Sequence, residues 1–358
     1  AETPAPISTP AGTPSAAPTT PGSAPGAAGP AKPAQASEAP APVAIAPVQA
    51  TQEQTLVVEN GNYRVELSNR GAVVRSWQLL KYKDSSKEKQ TLDVVNAETA
   101  RALGAWPLSV AVQDAGLNQQ LNEALYEVTP AAGPVKAPAE IVFRWSDGAT
   151  VATKRLRFDE SYVVEVATSV EQNGQPVAHS LAWRGGFGDR AAHMHAESTF
   201  VVYRTAGVLH QLPYNKLGKP ENRELWLPQP EAMDYAGIAD RYFAAVFLPN
   251  GAAAGGGPVP GPGLTLWHSK RDYKTTVNQK ETIVPVPEVA VGLPAAGTLQ
   301  TRLFVGPKDT AVLWQQNPPM VDLVDYGWDW LEPIAKLLFA FLKWIHGYVP
   351  NWGWAIVL

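Results

Sequence analysis

The sequence predicts an all-β fold, a large antiparallel sandwich of two or more sheets, and three observations carry that prediction. Many short windows alternate apolar and polar residues, turn signals separate them, and helical periodicity is confined to the end of the chain.

The first 54 residues stand apart. They are almost entirely Ala, Pro, Thr, Ser and Gly, without aromatic residues or periodicity. Such a segment buries too little apolar area to offset its ordering entropy. It is expected to act as a tether, with a reach of roughly 40 Å if flexible and more if its prolines stiffen it.

Strand signals begin at Thr55. Tyr63, Val65 and Leu67 alternate with Arg64 and Glu66 behind the Asn60-Gly61 turn. Ile141 to Trp145 and Val151 to Phe158 flank Asp147-Gly148 as a hairpin. Tyr162, Val164, Val166, Thr168 and Val170 form a long alternating strand closed by Asn173-Gly174. Phe200 to Tyr203, Tyr242 to Leu248, Leu264 to His268, Ile283 to Val286 and Leu299 to Val305 are further strands. A Gly/Pro-rich run from Asn250 to Gly263 separates two of them, and no internal repeat is visible.

Composition narrows the function. The 358 residues include 29 basic and 33 acidic side chains, a net charge of -4, which gives no basic footprint for nucleic acid. With no cysteine, disulfides and thiolate metal sites are excluded. The chain starts at Ala1 without an initiator Met or signal peptide, as a processed or excised form would. No apolar run reaches the ~20 residues of a spanning helix. The one candidate opens near Trp352 and stops with Leu358.

The predicted helix runs from Leu331 to His346. Ile334, Leu337, Leu338, Phe341, Leu342 and Ile345 follow the spacing of one helix face. Pro333 suits a first turn, Asp329 or Glu332 can cap it, and Gly347 and Pro350 end it. At ~24 Å it is too short to cross a bilayer. Trp330, Phe339 and Trp344 border the stripe, and Lys336 and Lys343 lie near one another on the surface. This is the chemistry of a helix lying in the membrane interface, although periodicity alone equally suits a helix packed on the β domain. Partial burial of the six apolar side chains is worth about 5–10 kcal/mol. Each lysine near anionic lipid adds about 1 kcal/mol. The apolar contribution dominates, so membrane contact is expected to survive moderate salt.

The end of the chain also carries a resemblance. Val324-Asp325-Tyr326-Gly327-Trp328, the amphipathic helix, Leu342-Lys343-Trp344-Ile345-His346 and Asn351-Trp352-Gly353-Trp354 together closely resemble a junction in the YidC family of membrane protein insertases. In that family the junction joins a periplasmic domain to the second transmembrane helix. Leu67-Ser68-Asn69-Arg70-Gly71-Ala72, Trp77 to Tyr82, Phe158 to Val170, Asp240-Arg241-Tyr242-Phe243-Ala244 and Phe304-Val305-Gly306-Pro307-Lys308 are similar to further family segments, in the same order.

The resemblance covers about residues 55 to 358 and implies a β-supersandwich like that of galactose mutarotases. It divides the chain into a linker over 1–54, a β domain over 55–320, an interfacial helix region over 321–350 and the opening of a transmembrane helix over 351–358. It implies a multi-pass protein of the bacterial inner membrane with this portion in the periplasm. The expected partners are the Sec translocon with its SecD and SecF subunits, nascent inner-membrane proteins and membrane lipid. It implies no catalytic residue, metal or cofactor. The family's groove arginine would fall beyond Leu358.

Several other features invite chemistry. His193, His195 and Glu197 alternate, so on a strand they would share one face and could bind zinc or perform acid–base work on a sugar; the glycines just before them favour a solvated polar loop. A periplasmic carbohydrate-binding protein or epimerase is therefore the alternative function. Gly185-Gly186-Phe187-Gly188-Asp189 precedes no clear helix and is a poor phosphate loop. Asp322, Asp325 and Asp329 are expected to face solvent or cap, with cation binding as the sharper alternative. Trp106, Trp145, Trp183, Trp226 and Trp267 are most simply core or groove residues, with a sugar-stacking platform as the sharper alternative.

Overall fold

The computed structural model describes residues 46–130, 133–189, 199–218, 233–249, 264–277, 280–293 and 296–324, together with residues 337, 338, 341, 342, 344, 345 and 348. Its strands are β1 (Thr55–Glu59), β2 (Tyr63–Ser68), β3 (Val73–Lys83), β4 (Thr91–Asp93), β5 (Ser109–Val112), β6 (Glu127–Thr129), β7 (Val135–Lys136), β8 (Ala139–Ser146), β9 (Thr150–Phe158), β10 (Val163–Gln172), β11 (Gln175–Pro176), β12 (His179–Trp183), β13 (Phe200–Thr205), β14 (Val208–Pro213), β15 (Met233–Ala239), β16 (Phe243–Pro249), β17 (Thr265–Val277), β18 (Lys280–Gly292) and β19 (Leu299–Pro307). Helices α1 (Ala97–Leu103), α2 (Ala115–Glu123) and α3 (Thr310–Trp314) interrupt them.

Three sheets result, in the orders β4-β3-β2-β1-β7, β14-β13-β15-β16-β19-β10-β9-β8-β6 with β11 beside β10, and β17-β18-β12-β5. Among the described residues only β1 and β7 pair in parallel. The all-β sandwich expected from the alternation is therefore the fold. Turn chemistry sets the hairpins. Asp147 Oδ1 accepts from the backbone N–H groups of Ala149 (2.9 Å) and Thr150 (2.6 Å), closing β8 onto β9. Asn173 and Gly174, with φ of 53° and 73°, make the left-handed pair that turns β10 into β11.

The sheets share one core. Tyr63 on β2 meets Phe158 on β9 at a centroid distance of 6.2 Å and Trp77 on β3 at 5.6 Å. Trp77 in turn meets Trp183 on β12 at 6.4 Å, and Trp183 meets Phe187 edge-on at 5.5 Å. This aromatic chain crosses all three sheets, and all five rings are buried. Each ring pair contributes about 0.5–1.5 kcal/mol beyond its area burial.

Two differences from the expected elements have simple causes. Helical periodicity was expected only at the chain end, yet α1, α2 and α3 lie within the β domain. They are too short to print a stripe: α1 buries only Ala100, and α2 only Leu117 and Leu121. The β17–β18 hairpin also runs far past the apolar segments that announced it. Its outer half is a two-stranded ribbon, mostly polar along β17 but with Ile283 exposed on β18, in which Pro285 and Pro287 pair only with β17. At the other end, backbone pairing begins ahead of β1: Val48 and Ser146 exchange both hydrogen bonds, at 2.9 and 2.8 Å.

Candidate functional site

The chain leaves the β domain through a pinned exit. After β19, Asp309 caps α3 by accepting from the N–H groups of Ala311 and Val312. Met320 N then donates to Leu313 O at 3.1 Å, and Met320 and Leu323 are buried. The 3₁₀ turn Val321–Leu323 follows. Within it Asp322 accepts a 2.5 Å hydrogen bond from the buried Tyr235 hydroxyl on β15. Its other oxygen lies 3.1 Å from Arg204 Nε on β13. The latter contact is an ion pair without the direction of a hydrogen bond. Arg204 also reaches Asp234 at 3.7 Å. The expectation of a solvent-facing or capping Asp322 is thus corrected: a phenol and a guanidinium hold it against the ten-stranded sheet. Burial, then the Asp322 hydrogen bond, pushes the Tyr235 phenol far above its ordinary range, so it stays protonated and donates to Asp322.

Beyond this exit, Leu337, Leu338, Phe341, Leu342, Trp344 and Ile345 have helical backbone. Leu337, Leu338, Phe341 and Trp344 are 72%, 56%, 54% and 60% exposed, and Leu342 and Ile345 are half-buried. Phe341 stacks on Trp344 at 5.9 Å, and Trp344 meets Tyr348 edge-on at 5.3 Å. Large apolar side chains at helical spacing are therefore left to solvent. The remaining helix candidates Trp330, Ile334, Lys336 and Lys343 lie outside the described residues. So do the junction residues Asp325, Tyr326, Gly327, Trp328, Asn351, Trp352, Gly353 and Trp354.

The other sequence candidates divide between core and unassigned. His193, His195, Glu197, Asp329 and Trp226 fall outside the described residues. Among the described residues no group of His, Asp and Glu is arranged to hold a metal ion. Likewise none of the described helices is long and apolar enough to cross a membrane. The Gly185–Asp189 turn is a packing device, since a Cβ on Gly185 would fall 2.3 Å from Ala105 O. Trp145 and Trp183 belong to the core, whereas Trp106 and Trp267 are half-buried.

Sequence reasoning passed over two buried charged sites. Lys154 on β9 is 1% exposed. Its Nζ donates to Ala72 O at 2.6 Å, to Leu108 O at 2.5 Å and, more loosely, to Gly71 O at 3.4 Å. It thereby ties the ten-stranded sheet to the β2–β3 turn and to the lead-in of β5. Burial pushes its pKa down to about 7. The signal was available: Lys154 occupies the inward register of Ala152, Leu156 and Phe158 in an alternating strand. The second site joins Glu288 on β18, 3% exposed, to Arg271 on β17 at 3.0 Å, with the buried Arg184 in electrostatic range. Its members come from three separate segments, and no local pattern marks them.

Comparison with known proteins finds relatives of this chain. Residues 55–341 match the family described as YidC periplasmic domain. A membrane protein insertase YidC of Bordetella avium is 26% identical over 326 residues, 89% of this chain and 54% of that protein. That of Ruegeria pomeroyi is 25% identical over 345 residues, 90% and 54% respectively. The chain thus spans about half the length of the curated relatives it matches. Among solved structures, a GalM/aldose epimerase homologue from C. elegans aligns with a TM-score of 0.42 at 10% identity, over 70% of this chain and 98% of that one. A galactose mutarotase-like protein from Lactobacillus casei aligns with a TM-score of 0.39 at 10% identity, over 71% and 100%. The sequence match extends from β1 across all three sheets and the pinned exit into the terminal helical residues, and on that match the chain belongs to the YidC periplasmic domain family.

Proposed function

We propose that this chain is the periplasmic support of a multi-pass inner-membrane insertase, and that it works without catalysis. The whole protein would insert and fold inner-membrane proteins, alone or beside the Sec translocon and its SecD and SecF subunits. The relatives' name, membrane protein insertase, supports that assignment. The observation that carries the role of this portion is the exposed Leu337, Leu338, Phe341 and Trp344 surface, later in the chain than the Asp322 anchor. A face of that composition is stabilised by entering the acyl boundary, with indole at headgroup depth. The β domain then sets where the helix lies and, through it, where a following transmembrane helix enters the bilayer.

Flotation with liposomes of mixed zwitterionic and anionic lipid tests this reading. The wild-type chain is expected to float with the vesicles, still doing so at moderate salt, because the apolar contribution exceeds that of the lysines. Leu338→Glu with Phe341→Glu is expected to leave it at the bottom of the gradient. A wild-type chain that fails to float, or a double variant that still does, would refute the role.

A further inference from the structure

The face of the five-stranded sheet turned away from the aromatic core is not bare. It carries Glu66 on β2, Ser76 and Gln78 on β3 and Asp93 on β4, and a cavity of about 600 Å³ lies between this face and α1. We propose that this cleft binds a neutral saccharide.

The site is built before any ligand arrives. The β2–β3 register slips between Glu66 and Leu67, leaving Arg75 as the extra residue of a bulge that re-aims its side chain. The Arg75 guanidinium lies over the Trp106 ring at 4.1 Å and 3.3 Å from Glu53. Asp93 Oδ1 accepts from the N–H groups of Trp77 (2.9 Å) and Val95 (3.0 Å), and its Oδ2 from the Ser76 hydroxyl (2.6 Å). The α1 wall is fixed from behind by the long β17 strand. Tyr273 Oη donates to Glu98 Oε1 at 3.0 Å, and Arg271 Nη1 to Leu103 O at 3.1 Å. Binding would therefore cost little reorganisation.

Two groups are left over. Among the described residues, neither the Arg101 guanidinium nor the Gln78 carboxamide has a hydrogen-bond or ion-pair partner, and both line the cavity. Both are planar forks, able to donate to adjacent hydroxyls of a ring, and Gln78 can also accept.

Charge then selects the ligand class. Glu66 is paired with Arg64 at 2.6 Å, and Glu53 with Arg70 and Arg75. No large field of either sign remains. An anion would meet the Asp93 and Glu66 carboxylates, and a cation the Arg75 and Arg101 guanidiniums. A peptide finds few apolar sub-pockets, because Ala97 and Trp106 are the apolar residues of the lining. A neutral polyhydroxyl ring matches what is present: bidentate polar side chains around an indole, in a volume within the ~300–1,000 Å³ of small-ligand sites.

Calorimetry and ligand-observed NMR on the 358-residue chain test the proposal, with maltose, lactose and chitobiose as neutral probes and glucose 6-phosphate as the anionic one. Saturable binding of at least one neutral sugar is expected. Arg101→Ala and Gln78→Ala should each weaken it about tenfold at an unchanged melting temperature, since neither side chain supports the fold. Absence of saturable binding by every neutral probe would overturn the proposal. So would tighter binding of glucose 6-phosphate than of any neutral sugar, or affinity that survives both substitutions.

Discussion

At Lys154 burial and charge oppose each other, and the consequence is a pH dependence of known sign. In the folded chain this lysine binds its proton only below a pH of about 7, whereas unfolded it holds it up to an ordinary lysine pKa of 10.5. Between those values the unfolded state carries more protons, so stability rises with pH, at a slope of up to ~1.4 kcal/mol per unit. His179 is the neighbouring titratable group, and burial pushes its pKa below 6.5, so its own loss of stability falls at lower pH. Burial raises Tyr63, Tyr126 and Tyr235, so their loss of stability begins only as the unfolded phenols ionise near pH ~10. The window from about pH 7 to 9 therefore belongs to Lys154. Urea unfolding is expected to show a gain of about 2 kcal/mol across it in the wild type and none in Lys154→Met; equal slopes in both would reject the account. The exit anchor makes a second prediction at this scale. Tyr235→Phe removes one hydrogen bond and is expected to cost about 1–2 kcal/mol. Asp322→Ala leaves the buried Tyr235 hydroxyl without its acceptor and Arg204 with only Asp234 at 3.7 Å, so about 1–3 kcal/mol is expected. The double variant should cost less than the sum, and strict additivity in denaturant titrations would show that the contacts are independent.

Among the elements, β15 and β16 show what local patterns reveal and what they conceal. Both are buried along almost their whole length, and the apolar run through Leu248 announced β16 without its partners. The partners are β15 on one side and β19, about sixty residues later, on the other. Alternation and turn chemistry expose single strands and tight hairpins such as β8–β9, because both are set by neighbours in the chain. Sheet membership is set by which apolar faces find each other, so β5 beside β12 had no local signal. The same limit applies at the site. The apolar stripe through Leu337, Leu338, Phe341 and Leu342 is a local pattern of the sequence, but the Tyr235 and Arg204 anchor required two distant strands to converge on one 3₁₀ turn. Gly237 on β15 tests how tightly these strands are packed. A Cβ there would fall 2.2 Å from Ala245 O and 2.6 Å from Val246 Cα on β16, contacts that side-chain rotation cannot relieve. Gly237→Ala is therefore expected to lose at least about 3 kcal/mol, read as a lowered urea midpoint. A loss within ~0.5 kcal/mol would mean that β15 and β16 can separate freely.

For the whole molecule, the question is where the cooperative unit begins. Composition marks the Pro/Ala-rich segment as running to residue 54, since alternation starts at Thr55. Pairing to a sheet edge starts earlier, at Val48, because it needs only backbone, and backbone pairing leaves no mark in composition. Val48 bonds both ways with Ser146, and Ala50 N donates to Leu125 O at 3.0 Å. Glu53 binds Arg70 at 2.9 Å and Arg75 at 3.3 Å, and Gln54 N donates to Asn69 Oδ1 at 2.7 Å. Two truncations separate the two boundaries. Removing residues 1–45 takes away none of these bonds, and the melting temperature is expected to stay unchanged. Removing residues 1–54 takes away four backbone–backbone hydrogen bonds, three hydrogen bonds that involve a side chain and two ion pairs, exposes Ser146 at the β8 end, and frees Arg75 from Glu53. At ~0.5–1.5 kcal/mol for each backbone–backbone hydrogen bond and little for the partly exposed side-chain bonds and ion pairs, a loss of about 2–5 kcal/mol is expected. That corresponds to a drop of very roughly 5–15 °C, extrapolating from ~2–4 °C per kcal/mol for domains somewhat smaller than this one. Differential scanning calorimetry of the two truncated chains decides the matter. Equal melting temperatures would place the boundary at Thr55 and make the Val48 and Glu53 contacts incidental. A lower value for the longer truncation alone would place it at the first bridge to β8.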